Sequence, residues 1–424
     1  MRVIQLPGTD TMNSKVSSKA WMIVGLLCFV GCLNYLDRVI ITTMRSSIVE
    51  AIPMSDAKFG LLTSVFLWVY GLLSPFAGFL ADKFKRSHVI IASLFIWSGV
   101  TWLTAHATTF EELLATRALM GISEACYIPA ALALITDYHH GSTRSTASGI
   151  HLAGIMVGQS LGFLGGWIAD RYAWNTAFSI FGITGIIYAV VLALLLRDVP
   201  GRSKFIQNQK DTNSGIRFTD AIADLFSRRS FIYAFIFWGL LGMVGWLIIG
   251  WLPTYYKEHF NLSQSTSGLY ATWYVSICSL IGVLLGGLLA DRWSKRNPRA
   301  RMMVPAIGLC IAAPFILLAS STNVLIIAVV GFMIYALTRT FSDPNMMPIL
   351  CLITDPRYRA TGFGVLNLFA CIVGGIGIYA GGILRDKHIN ISILFQTAAA
   401  IMLICVLLLF LIKPTVKSGV DSEF

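Results

Sequence analysis

About twelve stretches of this chain are apolar and long enough to cross the roughly 30 Å of a bilayer's hydrocarbon. No other feature narrows its folding options so far. The stretches fall near 21–45, 58–81, 87–106, 112–137, 145–169 and 173–196, then 230–256, 265–290, 302–320, 323–354, 360–384 and 390–412. In hydrocarbon each backbone N–H and C=O must be satisfied inside the segment, which makes spans of this length helices. Of 424 residues, 56% are hydrophobic and 12% charged, half the charged fraction usual in soluble domains. A soluble globule could not cover that surface, so the fold class is an all-α polytopic membrane protein.

The organisation follows from the polar segments. A cytoplasmic tail (1–20) precedes an N-terminal six-helix bundle (21–196). A central cytoplasmic loop (197–229) leads to a C-terminal six-helix bundle (230–412) and a second tail (413–424). The tail at the start lacks the apolar core of a cleaved signal peptide, so the first span is expected to act as the targeting signal. Most of the 32 lysines and arginines lie in the tails and in the loops on one side, which places both termini in the cytoplasm. The net charge of +11 is therefore a topology signal, and nucleic acid is excluded as a partner. Short outer loops point to a bacterial inner membrane. The eight cysteines are scattered and form no Cys-x-x-Cys or Cys/His cluster, so neither a disulfide framework nor a metal site is expected.

The two halves echo each other. "LITDYHHGSTRSTASGI" (134–150) recurs as "LITDPRYRATGFGV" (352–365), and "GFLADKFKR" (78–86) as "GLLADRWSKR" (287–296). Spans 5 and 11 end "GWIADR" and "GILRD", so a Gly-x-x-x-Asp ending closes spans 2, 5, 8 and 11. Spans 2 and 5 exit on opposite faces, as inverted three-helix repeats within each half would require.

The run "LNYLDRVII" sets Asp37 and Arg38 side by side in span 1. Each costs about 2.5–3.5 kcal/mol at the centre of a membrane helix on insertion scales. Span 4 adds Arg117 and Glu124, two turns apart on one helix face. By helix rise, Asp37, Arg38 and Arg117 share a depth and Glu124 lies nearer the midplane. The four form a nearly neutral cluster if spans 1 and 4 adjoin. Adjacent helix positions diverge by about 100°, so Arg38 is expected to face the substrate path and Asp37 to turn towards span 4 and Arg117. An arginine fork holds a carboxylate through two charge-assisted hydrogen bonds, and a carboxylate shielded from water can carry a proton near neutral pH. Arg38 is thus expected to receive a substrate anion and Glu124 to carry the coupling proton. Asp37 would pair with an arginine when substrate is absent, and Arg117 would tune both acids. The alternative is a structural charge network, which buried ion pairs serve poorly because they add little stability over apolar packing.

Span 10 carries Arg339 near mid-membrane and Asp343 one turn on, with Pro344 and Pro348 breaking the helix there. Arg339 is either a second anion-recognising residue or neutralised by Asp343. Tyr35, Tyr274, Gln159 and Asn367 are candidate substrate contacts within spans 1, 8, 5 and 11. His151, near the cytoplasmic start of span 5, reads as a loop or gate residue. The glycines of spans 5 and 11 read as packing positions.

These features resemble the major facilitator superfamily, whose loop motif Gly-x-x-x-Asp-Arg-x-Gly-Arg-Arg is echoed by Gly78, Asp82, Lys83, Lys85 and Arg86 and by Gly287, Asp291, Arg292, Ser294, Lys295 and Arg296. The resemblance implies 6+6 spans and a cytoplasmic gate formed by Asp82, Lys83, Arg86, Asp137, Arg144, Asp291, Arg292 and Asp355. Within the superfamily, Asn34, Tyr35, Asp37 and Arg38, with Arg117, Glu124 and Trp251–Tyr255, resemble the organic anion:proton symporters, which carry sugar acids such as hexuronates, aldonates and sialic acid. The first motif and "GISEACY" (121–127) also resemble Spinster-like lysolipid and sphingolipid transporters. The Trp-Phe-Pro-x-x-x-Arg-Ala of the sugar-acid branch is replaced by "TDYHHGSTRSTA", which keeps only Arg144.

The expected function is proton-coupled symport of an organic anion by alternating access, with a Spinster-like lipid transporter as the alternative. No cofactor is expected. No ATP-binding loop or hydrolase motif occurs in the sequence, so an ion gradient drives the cycle, protons ahead of sodium. The partners are a small anionic substrate, the proton and the bilayer, and the chain is expected to be a monomer.

Overall fold

Each apolar stretch forms a helix, as the solvation argument requires. The computed structural model describes residues 18–139, 142–199, 218–297 and 299–414, and among them it contains no strand. Spans 1–6 are Ser18–Thr43, Asp56–Ala77, Arg86–Thr104, Phe110–Tyr138, Thr146–Arg171 and Trp174–Leu195. Spans 7–12 are Arg229–His259, Gln264–Ser294, Ala300–Ser321, Leu325–Ile353, Pro356–Asp386 and Ile391–Leu411. The tail 1–17, most of the central connection and residues 415–424 lie outside the described residues. Residues 18 and 414 share one face with the end of span 6 and the start of span 7, here named the terminal face. The opposite side is the distal face.

Apolar side chains on the bundle's outside remain exposed, among them Leu194 on span 6 and Phe410 on span 12, as a lipid-facing surface requires. Inside, small residues let helices approach closely. A Cβ on Gly154 would lie 2.3 Å from the Cys28 carbonyl oxygen, and one on Gly158 2.0 Å from that of Cys32. This spacing of four locks span 5 onto span 1 in a small-x-x-x-small seam. Packing is therefore the role of these two glycines.

Where the central connection resumes, Phe218–Ser227 is a short helix that buries Ala221 and Leu225. Span 7 begins two residues later.

The halves share hydrogen bonds on the distal side. Spans 2 and 11 are joined from Asp56–Asp386 through Ser64–Gly375 to Trp68–Ile372. Spans 5 and 8 are joined from Asp170–Ser265 to Ser160–Thr272. Closer to the terminal face Leu72, Phe76 and Phe363 are exposed. The halves are thus held together at the distal face and part towards the terminal face.

Two spans at corresponding places in the halves are interrupted. Span 4 is helical over Phe110–Glu124 and resumes at Tyr127–Tyr138. Pro129 has no N–H to offer the Ala125 carbonyl four residues back, which weakens the helix at this point, although Pro75, Pro253, Pro305 and Pro314 are carried within continuous helices. Span 10 is helical over Leu325–Arg339, narrows to a 3-10 turn over Thr340–Asn345 and resumes at Met346–Ile353. Pro344 and Pro348 remove the equivalent bonds there. Discontinuous helices in matching positions of two repeats mark where transporters place their sites.

Candidate functional site

The break in span 4 falls immediately after Glu124 and brings its carboxylate onto span 1. Arg38 Nε donates to Glu124 Oε2 at 2.6 Å, with both side chains at or below 2% exposure. Charge-assisted contact at this distance offsets part of the desolvation each ion suffers. Aromatic faces supply more. The Arg38 guanidinium lies 4.7 Å from the Tyr35 ring centre, 5.1 Å from Phe66 and 4.4 Å from Tyr70. Such cation–π contacts contribute about 0.5–2 kcal/mol each, most when water is excluded. The hold is incomplete, because Arg38 Nη2 and Glu124 Oε1 have no hydrogen-bond partner. The arginine therefore keeps a donor and the glutamate an acceptor for a further polar group.

Asp37 departs from expectation. Its carboxylate points to span 3, where Thr101 Oγ1 donates to Oδ2 at 3.3 Å, and no arginine lies within ion-pair distance among the described residues. The cause is helix geometry: once Arg38 takes the Glu124 direction, its neighbour is turned by about 100°. Arg117 reaches only the Asp37 main-chain oxygen, at 3.4 Å, and the Met120 sulfur, and it stacks 5.2 Å from the Phe66 ring centre. It is fully buried and makes no ion pair among the described residues. The expected four-charge cluster is therefore one direct pair flanked by a separate acid and a separate base. Phe66 lies within cation–π reach of both arginines.

In the other half Arg339 Nη1 donates to both Asp343 oxygens, at 3.1 and 3.0 Å, and Nη2 to the Leu241 carbonyl at 3.4 Å. Arg339 is thus paired with Asp343 one turn on, across the 3-10 interruption, as Arg38 is with Glu124. The pair is less enclosed than Arg38–Glu124, with side-chain exposures of 17% and 32%. Gln159 and Asn367 are half-buried on spans 5 and 11. Tyr274 ends a π-helical segment, Leu269–Tyr274, and tilts against Tyr270. His151 is no loop residue. It is buried between spans 1 and 5, with Nδ1 3.2 Å from the Leu27 carbonyl oxygen.

The residues assigned to the gate stand on the terminal face, where the described ion pairs run within one half. Arg86 pairs with Asp137 at 2.6 Å and Arg301 with Asp291 at 2.6 Å. Arg144, Arg292 and Lys83 are exposed. The side chain of Asp82 lies outside the described residues. Asp355 is bound by Arg357, whose hydrogen bonds hold its carboxyl down at about 2. It remains charged at any physiological pH and cannot be the proton carrier.

Reasoning on the sequence missed a second constellation, on the distal face. Asp56 accepts from Arg45 and, at 3.0 Å, from Arg385. Glu258 accepts from the same two arginines at 3.2 and 2.9 Å. The four make an alternating ring over Trp251, whose ring centre lies 6.0 Å from Arg45 and 5.3 Å from Arg385. Each half contributes one arginine and one carboxylate. These residues sit at span ends, where charge is ordinary, and only packing distinguishes them.

Comparison with known proteins agrees with this architecture. The Major Facilitator Superfamily profile matches residues 27–377, with a second match over 298–424. The chain is 28% identical to Protein spinster of Drosophila melanogaster, over 91% of this chain and 67% of that protein. It is 26% identical to a probable sulfoacetate transporter of Cupriavidus necator, over 95% of each. Its fold resembles the inward-facing, unoccupied crystal structure of a bacterial homolog to the human lysosomal transporter Spinster. The TM-score is 0.75 at 23% identity, covering 94% of this chain and 96% of that one.

Proposed function

This chain belongs to the Major Facilitator Superfamily and is a membrane transporter, and from that premise we propose that it moves an organic anion together with a proton by alternating access. The observation that carries this reading is the Arg38–Glu124 pair, 2.6 Å apart and enclosed by Tyr35, Phe66 and Tyr70. An incoming carboxylate or sulfonate offers Arg38 the same bonds that Glu124 now makes. Once displaced, Glu124 loses its direct hydrogen-bonded ion pair in a water-poor site, so it takes a proton. Anion and proton then load together, and the protonated, anion-filled site is the form that reorients. The likeness to a probable sulfoacetate transporter supports an anionic substrate.

The terminal face carries most of the lysine and arginine, which supports its assignment to the cytoplasm and a reading of this state as inward-open. Arg117, stacked on Phe66, holds positive charge beside Glu124 and favours release of the proton. Asp37, bonded to Thr101, is a second acid that can titrate with it. Arg339–Asp343, with Tyr274, Gln159 and Asn367, offers polar contacts from the other wall once the halves close. Asp82, Lys83, Arg86, Asp137, Arg144, Asp291, Arg292 and Asp355 close the cytoplasmic side in the opposite state.

A thermal-shift panel on the purified protein tests the substrate class, using gluconate, glucuronate, glucarate, sialic acid, sulfoacetate and a lysophospholipid. At least one organic anion should raise the melting temperature by an amount that grows with the logarithm of its concentration and corresponds to about 2.7 kcal/mol at a hundredfold excess over its Kd. Stabilisation by the lysophospholipid alone would replace this reading with the Spinster-like alternative.

A further inference from the structure

The Gly-x-x-x-Asp endings of spans 5 and 11 are not used by the binding site, yet the structure gives them the same two contacts. At the end of span 5, a Cβ on Gly166 would lie 2.6 Å from the Gln264 carbonyl oxygen. One turn on, Asp170 Oδ2 accepts from the Ser265 main-chain N–H at 2.7 Å, and Oδ1 from the Gln264 amide at 3.3 Å. At the end of span 11, a Cβ on Gly382 would lie 2.3 Å from the Asp56 carbonyl oxygen. One turn on, the Asp386 oxygens accept from the Asp56 and Ala57 main-chain N–H groups at 2.8 and 3.0 Å. In both places the glycine admits the first turn of a helix from the other half, and the aspartate caps that turn.

The N–H groups that open a helix have no partner within it and carry its positive end. A carboxylate from the opposite half therefore satisfies donors that parting of the halves would uncover. Span 5 caps span 8 and span 11 caps span 2, so the arrangement is related by the pseudo-twofold of the repeats. It crosses the seam in both directions. The equivalent ending of span 8 on the terminal face does not behave this way, because Asp291 pairs with Arg301 of its own half.

We propose that Asp170 and Asp386, each with the glycine one turn before it, form a paired distal clasp that holds the halves together in this state and must release both helix ends for the distal face to open. The ring of Arg45, Asp56, Glu258 and Arg385 lies beside the span 11 arm and reinforces it. The proposal concerns conformational balance and stands whatever the substrate is.

Electron–electron distance measurement tests it, with spin labels at Thr108 and Asn323, both exposed on distal loops of opposite halves, in a background lacking the native cysteines. The parent should give one dominant distance. Asp170→Ala or Asp386→Ala should each raise a longer component about fivefold relative to the parent, and the double variant about 25-fold. These factors follow from the usual loss of a helix cap at two independent sites. Asp291→Ala, which removes a residue assigned to the gate of the opposite state, should not raise the longer component. An unchanged distribution in both single variants and the double would overturn the proposal, as would an equal response to Asp291→Ala. If the double alanine variant does not yield monodisperse protein, Asp170→Asn and Asp386→Asn, which keep the side-chain shape, take its place and must show a smaller shift in the same direction.

Discussion

Arg38→Ala should abolish specific binding of the organic anion, weakening it at least about a hundredfold, or about 2.8 kcal/mol. The residue supplies a fork of charge-assisted donors in a site that Tyr35, Phe66 and Tyr70 keep free of water, where losing one member of a buried charge pair costs about 2–5 kcal/mol. Arg38→Lys should fall nearly as far. Lysine keeps the charge but cannot offer two parallel bonds, and it stacks less well on aromatic faces. Titration of the anion selected by the panel, read by thermal shift and by counterflow in proteoliposomes, measures both. Unaltered affinity in Arg38→Ala would move the anion site elsewhere, with Arg339 the next arginine to test.

Glu124→Gln should separate binding from coupling. Glutamine approximates the shape of the protonated acid but can neither neutralise Arg38 nor exchange a proton. Anion affinity should therefore rise to the wild-type low-pH value and stop depending on pH. Counterflow exchange should persist, while accumulation driven by a pH gradient should fall to the passive level. The wild type should show the opposite trend in affinity. Its ionised Glu124 competes for Arg38, so the anion binds more weakly as pH rises. Gradient-driven accumulation by Glu124→Gln would remove Glu124 from the coupling role and direct attention to Asp37.

The spans, the halves and the charged residues of the site could be read in the sequence because hydrocarbon penalises charge, and so any arginine or acid within a span stands out. The partner of each could not be read so directly. Arg38 and Asp37 were separable by helix angle, but which of them meets span 4 depends on where Glu124 sits. That is decided by the break before Tyr127. Pro129 lies just beyond that break, as Pro344 lies within the one in span 10, but Pro75, Pro253, Pro305 and Pro314 sit in continuous helices, so a proline alone does not identify a break. Phe66 and Tyr70 are ordinary membrane-span aromatics until they are seen around a guanidinium. The Gly-x-x-x-Asp endings were visible as a repeat, but not as caps, since a cap requires knowing which helix start lies opposite. Arg45, Asp56, Glu258 and Arg385 gave no signal, because ionic residues at span ends are expected in any membrane protein.

The central claim is that anion and Glu124 compete for Arg38, and its direct measure is the proton balance of binding. Purified protein in weak buffer at pH 7.5, mixed with the anion identified by the panel, should take up about one proton per anion bound, seen as an alkaline shift with a pH-indicator dye. Glu124→Gln should bind the same anion with no shift. Proton release, or an uptake that survives in Glu124→Gln, would contradict the account.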